Sequence, residues 1–204
     1  MVSCRHIPIR PAGKRLEWPR AARVLLLGCL LIGVDVLLIG TGAGNAMALT
    51  LTSPAFKQGG KIPSSYTCEG NDVSPPLVFE GVPEGTKSLA LVIDDPDAPD
   101  PKAPKRVWVH WVVFNLPTDT KRLEENASAA GLPKGAVQGM NDFQSKSYGG
   151  PCPPVGRHRY FHKLYALDVT LPAKALGKAE LEAAMQGHVL GKAELMATYQ
   201  KGDP

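Results

Sequence analysis

The stretch Val107-Trp108-Val109-His110-Trp111-Val112-Val113-Phe114-Asn115 reads as one β-strand. Simple alternation predicts Trp108, His110, Val112 and Phe114 on one face, and Val107, Val109, Trp111 and Val113 on the other. Both faces are apolar, as in a strand covered on two sides at the centre of a sheet. His110 is then an imidazole in a hydrophobic setting, where it needs hydrogen-bond partners.

Outward from this strand, residues 77–80, 88–93 and 159–169 are further short runs of β-type composition. Between them lie Ser74-Pro75-Pro76, Asp95-Pro96-Asp97-Ala98-Pro99-Asp100-Pro101 and Gly150-Pro151-Cys152-Pro153-Pro154, and 16 of the 19 prolines follow Ala48. Short strands separated by Pro/Gly punctuation predict a mainly β sandwich or barrel. Helical composition occurs late: residues 178–190 and 192–199 are rich in Ala, Leu, Glu and Lys, with Gly191 between, and read as C-terminal packing helices. Residues 49–204 are enough for one domain with a core that needs no staple.

The formal charge of +4 comes from 23 basic and 19 acidic residues, and its location decides what it means. Arg5, Arg10, Lys14, Arg15, Arg20 and Arg23 fall in the first 48 positions with only Glu17 and Asp35, so residues 49–204 carry 17 of each sign. A neutral domain gives no argument for nucleic acid. The first 48 residues read as an export signal: a basic stretch to Arg23, an apolar run over 24–39, and Ala46-Met47-Ala48 suited to signal peptidase. The protein is thus expected to be exported, to the periplasm in a bacterium, with cleavage after Ala48. The alternative is an uncleaved inner-membrane anchor with its basic end in the cytoplasm. Cys4 and Cys29 belong to this leader, which leaves Cys68 and Cys152 as one disulfide or as two separate thiols.

Candidate polar groups are Asp94, Asp95, Asp97, Asp100, His110, His158, Arg159, Tyr160 and His162. His158 and His162 have the spacing of a helical metal pair, but in a strand four residues span roughly 13 Å, too far for one ion. No metal site is expected there. The acidic loop lacks the central Gly and terminal Glu of a calcium loop. There is no GxSxG, glycine-rich phosphate loop or CxxC in the chain.

Taken in order, Asp95-Pro96-Asp97-Ala98-Pro99, Trp108-Val109-His110-Trp111, Tyr148-Gly149-Gly150-Pro151-Cys152-Pro153-Pro154 and His158-Arg159-Tyr160 resemble the phosphatidylethanolamine-binding proteins. The resemblance is strongest to their bacterial Raf-kinase-inhibitor-like branch, the YbhB/YbcL type. It implies a β-sandwich of a large and a small antiparallel sheet and a cavity for phosphate-like anions. On this resemblance Asp95, His110, His158 and Tyr160 line the cavity, Gly150 and Pro151 supply its rim, and Asp97 and Pro99 shape the loop. A Cys68–Cys152 bridge would stiffen that rim.

No lysine falls within these motifs, so positive charge is expected from imidazolium favoured by Asp95, with backbone N–H groups near Gly150 and the Tyr160 hydroxyl completing the site. The leading expectation is an exported protein that binds a small anion or phospholipid headgroup without a cofactor, and that modulates a protein partner. One alternative is a hydrolase using His110 or His158 as base and Asp95 as its orienter, for which Ser145 and Ser147 are weak nucleophile candidates. The other is an exported interaction module with no ligand.

Overall fold

The computed structural model describes residues 48–203, so the leader reading lies outside the described residues. In chain order the strands are β1 (Thr50–Thr52), β2 (Leu77–Glu80), β3 (Ser88–Asp95), β4 (Trp108–Leu116), β5 (Arg122–Leu123), β6 (Val137–Gln138), β7 (His158–Leu167) and β8 (Val189–Tyr199), with a one-turn helix α1 (Ala127–Ala130) between β5 and β6. They form two antiparallel sheets, β1-β2-β5 and β6-β4-β3-β7-β8. The mainly β expectation holds.

Strand β3 is buried along its whole length because each face meets a different core. Leu89, Leu91 and Ile93 join Leu77 and Phe79 of the small sheet in the interior of the sandwich. Ala90 and Val92 instead pack with Leu181 and Met185 of α2 (Lys178–Met185) on the outer face. Asp94, on that outer side, is fully buried and accepts hydrogen bonds from Lys163 Nζ at 2.7 and 2.8 Å, with Lys178 Nζ at 3.1 Å. Lys163 of β7 and Lys178 thus meet Asp94 on the outer face of the large sheet.

Two sequence expectations fail. Residues 192–199 are strand, and the helix begun at Lys178 stops at Met185. The composition favours a helix, but Ala193, Leu195, Ala197 and Tyr199 are buried at every second position, and β8 pairs with β7 from His158↔Tyr199 to Ala166↔Gly191. A long ladder outweighs a weak intrinsic propensity.

The second failure concerns the faces of β4. Ile93 lies opposite Trp111 while the next residue, Asp94, lies opposite Val109, so His110 is an extra residue in a β-bulge. The bulge breaks the alternation: Trp111 and Val113 face the sandwich interior, whereas Val109, Val112 and Phe114 face α2. His110 is thereby turned toward the interior side and away from Val112 and Phe114. Bulges re-aim side chains in this way.

His162 sits in the sandwich interior beside Phe56, its ring 5.3 Å away, and donates from Nδ1 to Leu195 O at 3.2 Å. Burial pushes its pKa down to about 4, partly offset by that hydrogen bond. The unfolded chain therefore takes up the proton first as pH falls. Stability from this group is complete above pH about 6.5 and drains away toward pH 4, by roughly 3 kcal/mol in all. His162→Leu should flatten the loss of urea stability between pH 6.5 and 4.5, and an unchanged slope would show that another group controls it.

Candidate functional site

At one end of the sandwich a cavity of about 260 Å³ opens between the β3–β4 loop, the start of β4, the 143–154 region and the start of β7. Its polar lining is Asp95, His110, His158 and Tyr160, with Cys152 at one side. Ala98, Pro99, Trp108, Phe143, Pro153 and Pro154 make the rest of the wall apolar.

Asp95 organises one side. Its Oδ1 accepts the Asp97 N–H at 2.7 Å, an Asx turn that folds the loop back on itself, and its Oδ2 accepts from His158 Nδ1 at 2.7 Å. His158 Nε2 faces Val155 O at 3.0 Å. Both ring nitrogens thus lie against oxygen atoms of the protein. The carboxylate and the ring are nearly inaccessible and matched to each other. Neither has a group left over for a ligand.

His110 is different. Its Nδ1 donates to Gly149 O at 2.6 Å, which leaves the lone pair on Nε2, and that atom is buried without a partner. The Tyr160 hydroxyl is likewise buried and unpartnered, and the two rings meet edge to face with centroids 5.2 Å apart. Burial pushes the His110 pKa below its usual value despite the Gly149 carbonyl and the Asp95 charge, and burial raises the Tyr160 phenol far above its own. The histidine that bonds Asp95 is thus His158, while burial holds the pKa of His110 below its usual value. Orphaned buried polar groups are uncommon and ask for an explanation.

Asp97 does not line the cavity. Its carboxylate takes three hydrogen bonds from Arg159, from the backbone N–H, Nε and Nη2 at 2.9, 2.9 and 2.7 Å, and these hold its pKa below the usual carboxylate range. Arg159 faces away from Tyr160, as strand alternation predicts. Pro99 is a wall residue, following a cis Ala98–Pro99 peptide.

The expected rim needs correction. Gly150 and Pro151 are absent from the lining, and the Gly150 N–H is committed to Asp72 Oδ1 at 2.7 Å. A Cβ at position 150 would lie 2.4 Å from that oxygen and 2.5 Å from Tyr66 O, so the glycine serves close packing. Pro151 O accepts the Cys68 N–H at 3.1 Å. Cys68 and Cys152 are bridged, with Cα atoms 5.4 Å apart.

Sequence reading missed Phe143, whose ring stands 5.4 Å from Trp108 and 5.5 Å from His110. It also missed the buried Asn141 that pins the Phe143 loop, donating to His110 O and Ser147 O and accepting from the N–H groups of Phe143 and Ser145. No periodicity marks that loop; only the Asn-Asp pair at its start hinted at a turn. Ser145 and Ser147 are not lining residues, and Ser145 Oγ accepts the Ser147 N–H.

The family model for phosphatidylethanolamine-binding protein matches residues 52–200, a span that holds every cavity residue. The chain belongs to the phosphatidylethanolamine-binding protein family. A UPF0098 protein from Methanothermobacter thermautotrophicus is 52% identical over 156 residues, 76% of this chain and 100% of that one. Among solved members of the family, the Chlamydia trachomatis homologue matches with TM-score 0.69 and 44% identity, covering 76% of this chain and 98% of its own. Escherichia coli YbcL matches with TM-score 0.68 and 35% identity, covering 76% and 99%.

The orphaned hydroxyl makes a stability test within this family fold. Tyr148 is buried like Tyr160, but its hydroxyl donates to Tyr66 O at 2.9 Å. Tyr148→Phe should cost about 1 to 2 kcal/mol, while Tyr160→Phe should be neutral or stabilising. Urea denaturation at pH 7 compares the two, and an equal loss at position 160 would mean that its hydroxyl has a structural partner.

Proposed function

We propose that this protein binds a small phosphate-like anion, such as a phospholipid headgroup carries, in the cavity floored by His110 and Tyr160. The observation that carries this reading is the pair of buried, unpartnered polar atoms, His110 Nε2 and the Tyr160 hydroxyl, on one cavity wall. Tyr160 donates to one ligand oxygen. Nε2 of His110 meets a bare anionic oxygen only after taking a proton, so binding of such an oxygen draws a proton into the site. The apolar walls exclude water and strengthen both contacts. Asp95, His158 and Pro99 hold the cavity's shape.

Residues 1–48 act in this reading as an export signal cleaved after Ala48, with an inner-membrane anchor as the alternative. The Cys68–Cys152 bridge supports export, because disulfides persist in oxidising compartments. Modulation of a protein partner would follow from recognition of the occupied mouth.

Calorimetric titration with phosphoethanolamine from pH 5.5 to 8.5 tests the proposal. The free-state His110 pKa is depressed and an anion on Nε2 raises it, so affinity should fall as pH rises, by up to about tenfold per unit between the two values. His110→Ala and Asp95→Ala should each weaken binding. A flat pH profile would overturn the proton-linked mechanism, and unchanged binding in both variants would move the site elsewhere.

A further inference from the structure

The cavity wall has one side that is anchored and one that is not, and the disulfide lies at their junction. Residues 148–151 are pinned several times over. The Tyr148 N–H donates to Ser128 Oγ and its hydroxyl to Tyr66 O, while Gly149 exchanges hydrogen bonds with His110. The Gly150 N–H reaches Asp72, and Pro151 O accepts from Cys68. None of these depends on the sulfur atoms.

Residues 152–156 differ. Among the described residues, the one hydrogen bond that reaches this stretch is from His158 Nε2 to Val155 O. The stretch nevertheless supplies Cys152, Pro153 and Pro154 to the cavity lining and Val155, 54% exposed, beside it. Both Cys68 and Cys152 are themselves exposed. A bridge that served only to staple the core would gain nothing from standing open to solvent at a binding cavity, and exposed disulfides are the ones open to thiol exchange.

We propose that the Cys68–Cys152 bridge is a redox latch on the cavity, opened by a small-molecule dithiol. One thiolate of the dithiol attacks a sulfur of the bridge, the S–S bond breaks, and the other cysteine leaves as a thiolate that takes up a proton. The second thiol of the reagent then resolves the mixed disulfide. The reagent leaves oxidised, and two electrons and two protons remain on Cys68 and Cys152. The anchors of residues 148–151 persist, so His110 keeps its Gly149 partner while the Pro153–Pro154 wall is released. The preorganised cavity is lost and the core is not.

The binding readout rests on the proposed anion site; a second readout does not. Oxidised protein and protein held in dithiothreitol are titrated with phosphoethanolamine at pH 6 and separately digested briefly with trypsin, with near-UV circular dichroism reporting the core. Reduction should weaken binding about tenfold through lost preorganisation. It should also speed cleavage after Arg157, at the end of the released stretch, several-fold while the dichroism is retained. Cys68→Ser/Cys152→Ser should behave as the reduced protein does and ignore dithiothreitol. Equal affinity and equal cleavage in the two redox states would overturn the latch. So would loss of the near-UV signal on reduction, since the bridge would then hold the whole fold. If the oxidised protein binds no phosphoethanolamine, the anion site fails, and the cleavage rates alone decide for or against the latch.

Discussion

The buried carboxylate of Asp95 joins segments that are far apart in the chain: it turns the 95–99 loop through the Asp97 N–H and fixes the start of β7 through His158, which in turn holds Val155 O. Each oxygen is used. Removing one member of such a pair strands the other in a poorly solvated site, at a cost of about 3 to 5 kcal/mol. The cavity depends on this pair for its shape. The polar atoms left without partners in the cavity belong to His110 and Tyr160.

Much of the architecture is readable from residues. Strands β2, β3, β4 and β7 are marked by apolar runs between proline clusters, and the double burial of the central strands follows from their lack of a polar face. Asp95, His110, His158 and Tyr160 are brought together as the motif resemblance implies. What is not readable depends on partners supplied by distant segments. Asp72 takes the Gly150 N–H across 78 residues of chain, and nothing near Gly150 signals it. The ladder with β7 makes residues 192–199 a strand although their composition is that of a helix former.

The bulge at His110 belongs to the same class. Alternation in β4 is regular in the sequence, and only the register against β3 shows that His110 is an extra residue there. The consequence is chemical, since a regular strand would have turned the imidazole toward Val112 and Phe114 and the α2 core. Instead it stands edge-on to Tyr160. Asp94 and Asp95 show the counterpart in ordinary geometry: adjacent residues on opposite faces, one serving Lys163 and Lys178 and the other serving the cavity.

The carbonyl of Gly149 fixes which nitrogen of His110 carries the proton, and so it would set the kind of oxyanion that the proposed site accepts. A lone pair on Nε2 repels a bare oxygen and welcomes one that still bears hydrogen. A phosphate monoester bears such a hydrogen only up to its second ionisation, at about 6. A backbone oxygen that never touches the ligand would thus decide, in the proposed site, that a bare oxyanion must bring a proton with it.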